Sequence, residues 1–301
     1  MEVILPQLFN GLSLSSILLL ISLGLAITFG LMNVINMAHG ELIMIGAYSA
    51  YVTQLLFSHY LPKAMFDFYF FLALPVAFLI AAFWGWVLEW SLIRHLYGRP
   101  LDSLLATWGV SLLMQQLART IFGAPNVAVV APNWLNGGLE IMTGVVFPYK
   151  RLFILVLAAA AILGMYFSLY KTSQGRRMQA VMQNRNMAAC LGISTRKVDS
   201  YSFAVGSGIA GLAGCAITLL GPIGPSIGTY YIIDAFMVVV LGGVGKLIGT
   251  VAGALGIGLL NTLFEYGTSA TIGKVLIFLL IIAFLQWRPS GLVSVKTRAL
   301  D

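Results

Sequence analysis

The sequence predicts an all-α polytopic membrane protein: a single transmembrane domain over residues 1–301 with about eight to ten transmembrane helices. Hydrophobic residues make up 59% of the chain, charged residues only 9%, and the mean hydropathy is +0.94. A soluble domain carries roughly 25% charged residues, so a water-soluble fold of this length would expose much of its apolar surface. The apolar stretches are continuous, unlike the alternating segments of roughly ten residues in a membrane β-barrel.

Nine apolar segments follow one another along the chain and define the predicted spans. The first begins near Phe9 without a preceding Lys or Arg and is too long for the apolar core of a secretory signal peptide, so we expect it to stay in the protein. The segments cover residues 9–32, 40–58, 68–93, 102–122, 152–170, 200–221, 230–245, 248–264 and 274–287.

A basic segment at residues 171–199 sets the predicted orientation. It carries six Lys or Arg residues and one acidic residue between two apolar segments. Basic loops between spans lie in the cytoplasm, so we expect this segment and the C-terminus on the cytoplasmic side of a bacterial inner membrane. The connection 123–151 then lies outside, although Lys150 and Arg151 run against this assignment.

Two regions interrupt the apolar pattern. One runs from Asn33 to Glu41, and the other is the segment 242–258, which contains seven glycines. Interrupted helices at corresponding places of two halves point to a transport site, and an internal repeat is a possible origin. Gly245, Gly249 and Gly253 are four residues apart, which favours close helix packing over a glycine-lined path next to the substrate.

Polar residues within apolar segments are the candidates for a substrate path. A carboxylate inside a membrane costs about 2.5–3.5 kcal/mol, so Glu41 should be paired or face water. It either caps the second helix or belongs to the path. Thr107, Ser111 and Gln115 are spaced by four and share one helix face, which must look towards another helix or a pore. The candidate path residues are Asn33, Asn36, Glu41, Thr107 and Gln115.

The sequence contains no enzyme motif that we recognise. Lys246 and Lys274 follow glycines, but the glycine five residues earlier and the following Ser or Thr of a phosphate-binding loop are missing. The three histidines lie in separate segments, so we expect no metal site and no cofactor. Basic and aromatic residues are not interleaved, so we expect no nucleic acid. Cys190 and Cys215 have no ligand-like spacing and are expected to be free thiols.

The basic segment also predicts an amphipathic helix between Gly175 and Gly192. Its apolar stripe, formed by Met178, Val181, Met182 and Ala189, lies beside several arginines. Such a helix either rests on the bilayer or inserts into a groove of a separate motor subunit. We favour the second interpretation. The candidate ATPase-coupling residues are Arg176, Arg177, Met178, Val181, Met182, Arg185, Ala189 and Gly192.

Motifs along nearly the whole chain resemble the branched-chain amino acid type of permease subunit in bacterial ABC importers. The motifs are Gly24–Glu41 with the Gly-Ala pair that follows, Asn186-x-x-Ala-x-x-Gly-Ile, Leu241–Ala254 and Arg288-Pro-x-Gly-Leu. Within that family, the Ala-Thr-Trp-Gly run at 106–109 and the residues 119–135 resemble the urea-type branch.

The resemblance implies a membrane assembly with membrane lipid around it. It implies a second permease subunit of related fold, two cytoplasmic ATP-binding subunits and a periplasmic substrate-binding protein, with the substrate passing between the two permeases. Asn126, Pro132 and Trp134 would then help to dock the binding protein, unless their segment is an ordinary tether.

We therefore expect a urea importer subunit without an ATPase site of its own. Urea is small and neutral, so its path needs amide or hydroxyl groups, whereas a branched-chain amino acid (leucine, isoleucine or valine) needs charged partners and an apolar pocket. Import of these amino acids is one alternative, and a stand-alone channel for small solutes is another.

Overall fold

The computed structural model describes residues 4–32, 34–142, 145–267 and 269–293 and confirms the all-α membrane class. Eleven α-helices are found in this part of the chain. They are α1 (Ile4–Met32), α2 (His39–Tyr60), α3 (Tyr69–Ser91), α4 (Pro100–Phe122), α5 (Tyr149–Lys171), α6 (Ser173–Gln183), α7 (Arg185–Cys190), α8 (Thr195–Ile217), α9 (Ile227–Gly242), α10 (Leu247–Gly267) and α11 (Ala270–Trp287).

Nine of these helices correspond to the nine predicted apolar segments, and α6 and α7 form the basic segment. Among the described residues, five helices are long and apolar enough to cross a membrane: α1, α3, α5, α8 and α10. Helices α9 and α11 are apolar but shorter. Helices α2 and α4 have 22 and 23 residues and are more polar. Their polar side chains therefore need the interior of the protein rather than lipid.

A small β-hairpin lies in the connection between α4 and α5, where the sequence analysis expects only a loop. Strand β1 (Gly138–Met142) pairs antiparallel with β2 (Val145–Pro148), and Leu139 lies opposite Phe147. The apolar residues Leu139 and Val146 are exposed on it.

Helix α8 lies at the centre of the bundle, against α1, α2 and α3, and α1 also packs against α5, α9 and α10. The central contacts are between backbones. A β-carbon on Gly46 of α2 would overlap the carbonyl oxygen of Gly211 in α8, and one on Gly214 of α8 would overlap that of Ile43 in α2. Such close approach gives dispersion contacts that replace the hydrophobic driving force missing in lipid.

The glycines after residue 242 also serve packing, as the sequence analysis favours. Gly242 of α9 lies against Gly249 of α10, and a β-carbon on Gly253 would come within 2.6 Å of the Val238 carbonyl oxygen. The interruption is a turn at 243–246 in which Gly243 and Gly245 have φ of 97° and 81°, a conformation that favours glycine. Helix α10 then continues unbroken to Gly267, so the interruption predicted in the 242–258 region is confined to this turn.

The first interruption is likewise a turn between two helices, α1 and α2. Asn33 lies outside the described residues. The two turns meet in space, because a β-carbon on Gly30 would lie 2.6 Å from the Gly245 Cα atom. The internal repeat stays a prediction.

Candidate functional site

A buried polar network joins α2, α4 and α9. The Glu41 Oε1 atom accepts hydrogen bonds from Ser111 Oγ and Gln115 Nε2, both at 2.8 Å. Gln115 Nε2 also lies 3.1 Å from the hydroxyl oxygen of Thr229 in α9. The predicted polar stripe on α4 therefore faces inward, towards another helix.

The turn between α1 and α2 is held by the same face of α4. Thr107 Oγ1 accepts a hydrogen bond from the Met37 amide at 3.1 Å and donates to the Ser103 carbonyl at 2.7 Å. Asn36 Oδ1 accepts from the Ala38 amide at 3.0 Å, which closes the turn. Two predicted path residues, Asn36 and Thr107, thus fix the start of α2.

The capping interpretation of Glu41 is wrong. Ala38 is the N-cap of α2 and no side chain caps the helix, because the Glu41 carboxylate is turned towards α4 instead. Its second oxygen, Oε2, is buried and has no partner in the part of the chain that is described. The same holds for Asn36 Nδ2 and His39 Nδ1. Buried groups of this kind are rare and call for a functional or hydration role.

Helix α4 depends on this network for its position. Among the described helices it packs mainly against α2, where Phe122 stacks on Tyr48 with ring centroids 4.2 Å apart. Its opposite face exposes large apolar residues such as Leu105 and Leu113. In the isolated chain the network is shielded from solvent at Glu41, which is only 1% exposed. It reaches the surface at Thr229.

The basic segment folds as two helices rather than one. Thr172 caps α6 by accepting from the Gly175 amide, and Asn184 caps α7 by accepting from the Met187 amide. Asn184 has extended backbone angles and breaks the predicted helix. Gly175 lies inside the first turn of α6, where a side chain would overlap the Ser168 and Leu169 carbonyls at the end of α5. Gly192, with φ of 81°, ends α7 as predicted.

The apolar stripe of α6 faces the protein's own bundle. Met178 and Val181 are 2% and 3% exposed, and the Met182 methyl group lies beside Gly30 and Gly245. The prediction that Met178 and Val181 insert into a partner is therefore wrong, because the bundle already covers them. Met182 is half-buried, and its coupling role stays a prediction. Ala189 does not belong to the stripe, since the break at Asn184 changes the helix phase.

The exposed surface of the basic segment is instead partly basic and partly apolar. Arg176, Arg177, Ala189 and Gly192 are exposed. Met187 and Leu191 are exposed by 58% and 73% and were not among the predicted coupling residues. Their exposed positions follow from the second helix, which the sequence pattern does not reveal.

Arg185 binds inward, against the prediction that it meets a partner. Its guanidinium forms an ion pair with Asp199, a completely buried residue in α8, and lies 4.6 Å from the centre of the Tyr97 ring. Breaking a buried pair by removing one partner costs about 3–5 kcal/mol. Burial, together with the nearby carboxylates of Asp199 and Glu89, raises the pKa of Tyr97 far above its usual range.

The groups around Arg185 were not among the residues predicted from the sequence. The Tyr97 hydroxyl lies 3.5 Å from both Glu89 Oε1 and the Met32 sulfur at the end of α1. Glu89 in turn pairs with Arg94 at 3.3 Å and accepts from Ser200 of α8. The acidic residue Glu89 inside the apolar segment 68–93 could have indicated that these contacts exist. Through these contacts the basic segment is tied to α1, α3 and α8.

The segment before the hairpin is anchored to α3 and to the connection between α2 and α3. Trp134 Nε1 donates to the Asp67 carbonyl at 3.0 Å, and its ring stacks on Phe71 with centroids 5.0 Å apart. Pro132 is buried in the isolated chain, which argues against the prediction that it contacts a binding protein. Trp134 is 39% exposed, and Asn126 is exposed next to Gly224.

Similarity to known proteins extends over nearly the whole chain. The family model for the permease component of branched-chain amino acid transport systems matches residues 7–285. The chain is 28% identical over 300 residues to the high-affinity branched-chain amino acid transport system permease protein BraD of Pseudomonas aeruginosa, covering 96% of this chain and 95% of that protein.

The Escherichia coli permease protein LivH is 28% identical over 297 residues, with 96% of this chain and 95% of LivH covered. The E. coli permease protein LivM is 26% identical over 310 residues, with 93% of this chain and 68% of LivM covered. No solved structure matches the chain significantly. The chain belongs to the family of branched-chain amino acid transport system permease components.

Proposed function

We propose that the chain is a permease subunit of an ABC importer that moves branched-chain amino acids into the cell, powered by ATP hydrolysis on separate subunits. The observation that carries the proposal is the family match over residues 7–285, together with relatives of equal length that are permeases for these amino acids. These relatives support the alternative of branched-chain amino acid import better than the urea assignment that rests on residues 106–109 and 119–135.

A second permease of related fold completes the path. The chain is similar to two different E. coli permease proteins of branched-chain amino acid transport, LivH and LivM. The Glu41 network is closed within one chain and meets the surface at Thr229, beside Tyr230, which is 68% exposed. A partner seated on this face of α9 would place the network at the boundary between the two permeases, where the substrate passes.

The ATP-binding subunits meet the chain at α7. Met187 and Leu191 form an exposed apolar patch flanked by Arg196 and Lys197. Apolar anchors surrounded by polar residues are typical of protein interfaces. Since Arg185 ties this patch to buried Asp199, movement of the patch is transmitted to α8 and, through Tyr97, to the end of α1.

Uptake by the reconstituted assembly tests the proposed function. Proteoliposomes would contain this chain, the second permease and the ATP-binding subunits, with the binding protein added outside. We expect ATP-dependent uptake of labelled leucine that isoleucine and valine inhibit and excess urea does not. The chain alone should give no flux above empty liposomes. ATP-dependent urea uptake, or flux through the lone chain, would contradict the proposal.

Glu41→Gln tests the role of the buried network. Glutamine keeps the oxygen that accepts from Ser111 and Gln115, so the cost to stability should be about 1 kcal/mol and abundance near normal. We expect leucine uptake to fall about tenfold, equivalent to about 1.4 kcal/mol, because the charge at the permease boundary is lost. Thr53→Val is the matched control, since this buried α2 hydroxyl donates to the Ser49 carbonyl of its own helix. Parallel loss of uptake and abundance would indicate a purely structural role.

Leu191→Asp and Met178→Asp separate the two faces of the coupling segment. Leu191→Asp places a charge on the exposed patch, and we expect normal abundance with ATP-driven uptake reduced at least about thirtyfold, the effect of losing about 2 kcal/mol at an interface anchor. Met178→Asp buries an unpaired charge and should lower abundance itself. Full uptake in the Leu191 variant, or normal abundance of the Met178 variant, would refute this assignment of faces.

A further inference from the structure

A cavity of about 570 Å³ lies between α1, α8, α9, α10 and α11. Its wall includes Asn126 and the residues 220–227 that connect α8 to α9. Helix α6 contacts the other end of the bundle, where Met182 lies beside Gly245. The cavity is therefore remote from the coupling segment, and its volume lies within the range of small-molecule sites, about 300–1,000 Å³.

An ion pair stands in the cavity wall. Lys274 Nζ of α11 lies 3.1 Å from Asp234 Oδ2 of α9. The aspartate side chain is 15% exposed and the lysine 51%. Helix α9 is otherwise apolar, and a charge in such a helix is expensive and marks a functional site by default. A half-exposed ion pair stabilises a fold only weakly, so packing alone is a poor reason for this aspartate.

A second carboxylate and an apolar surface share the cavity. Glu265 lies in its wall, and Glu265 Oε1 accepts a hydrogen bond from Asn261 Nδ2 at 2.8 Å. The apolar part of the wall comes from α1, α8, α9, α10 and α11. It is formed by Leu14, Leu18, Ile217, Ile227, Met237, Ile257 and Ile277.

We propose that this cavity binds a zwitterionic α-amino acid with an aliphatic side chain. The ammonium group lies between Asp234 and Glu265, the carboxylate lies at Lys274, and the side chain packs on the aliphatic wall. Both charges of the ligand meet opposite charges, and its apolar part leaves water. Urea has neither charged groups nor an apolar part and does not fit this lining. The inference rests on the proposed function and adds to it a site within the permease that selects the substrate.

Helix α9 connects this cavity to the buried network. Asp234 faces the cavity, while Thr229, five residues earlier on the same helix, contacts Gln115. The cavity and the network are therefore joined by five residues of one helix.

Photolabelling of the unmodified chain gives the first test. The full chain in lipid nanodiscs, without binding protein, is irradiated with a diazirine analogue of leucine that keeps both charged groups, and the labelled peptides are identified by mass spectrometry. We expect label in the segments that line the cavity, which are residues 14–18, 217–237 and 257–277 and Asn126, reduced by excess leucine and unaffected by excess urea. Label elsewhere in the chain, or label that leucine does not reduce, would overturn the proposal.

Variants of the ion pair give the second test. Asp234→Asn and Lys274→Gln should each reduce leucine-sensitive labelling at least tenfold. Arg99→Gln and Asp102→Asn break an exposed ion pair at the start of α4 and should leave labelling unchanged. Lys274→Arg keeps the charge and should retain labelling, which separates charge recognition from loss of folding. Normal labelling of both ion-pair neutralised variants would overturn the site.

The two proposals fail in different ways. If the assembly imports leucine while Asp234→Asn and Lys274→Gln label and transport like the unmodified chain, the cavity is not the site and the proposed function stands. If the assembly imports urea and not leucine, the proposed function fails, and the cavity inference fails with it.

Discussion

Contact between glycine backbones holds α8 against α2 and α1, and the rest of the structure depends on it. A β-carbon on Gly46 of α2 would overlap the carbonyl oxygen of Gly211 in α8. One on Gly24 of α1 would overlap the carbonyl oxygen of Gly206 in α8. In lipid, helices gain no hydrophobic free energy by meeting one another, so the close fit itself must stabilise the bundle. A larger residue at these positions would separate the helices and disturb the polar contacts between them.

The polar groups use the space that this packing creates. Glu41, Ser111 and Gln115 share hydrogen bonds between α2 and α4, which has few other close contacts with the bundle. At the other end, buried Asp199 requires a cation, and Arg185 supplies it from the coupling segment. The segment that we propose for ATPase contact is thus fixed to the central helix α8. A displacement of α7 is therefore transmitted to α8. The physical link is one ion pair and one stacked tyrosine.

The sequence predicted the helices well because hydropathy reports burial in lipid directly. It also predicted the inward face of α4, since residues spaced by four share one side of a helix. The sequence-based prediction failed where the role of a side chain depends on which surface covers it. The stripe with Met178 and Val181 shows which side of α6 is apolar, but not that the bundle itself covers it. The break at Asn184, the hairpin after Trp134 and the pairing of Asp234 with Lys274 depend on contacts between distant segments, which one sequence does not reveal.

The central claim is that the basic segment lies in the cytoplasm and is covered by the ATP-binding subunits. The two native cysteines test it directly, because Cys190 at the end of α7 is exposed and Cys215 inside α8 is buried. A membrane-impermeant maleimide should label Cys190 in inside-out vesicles and not in intact cells, and assembly with the ATP-binding subunits should suppress the labelling. Cys215 should react only after denaturation. Labelling of Cys190 from outside intact cells, or labelling that the ATP-binding subunits leave unchanged, would contradict the account.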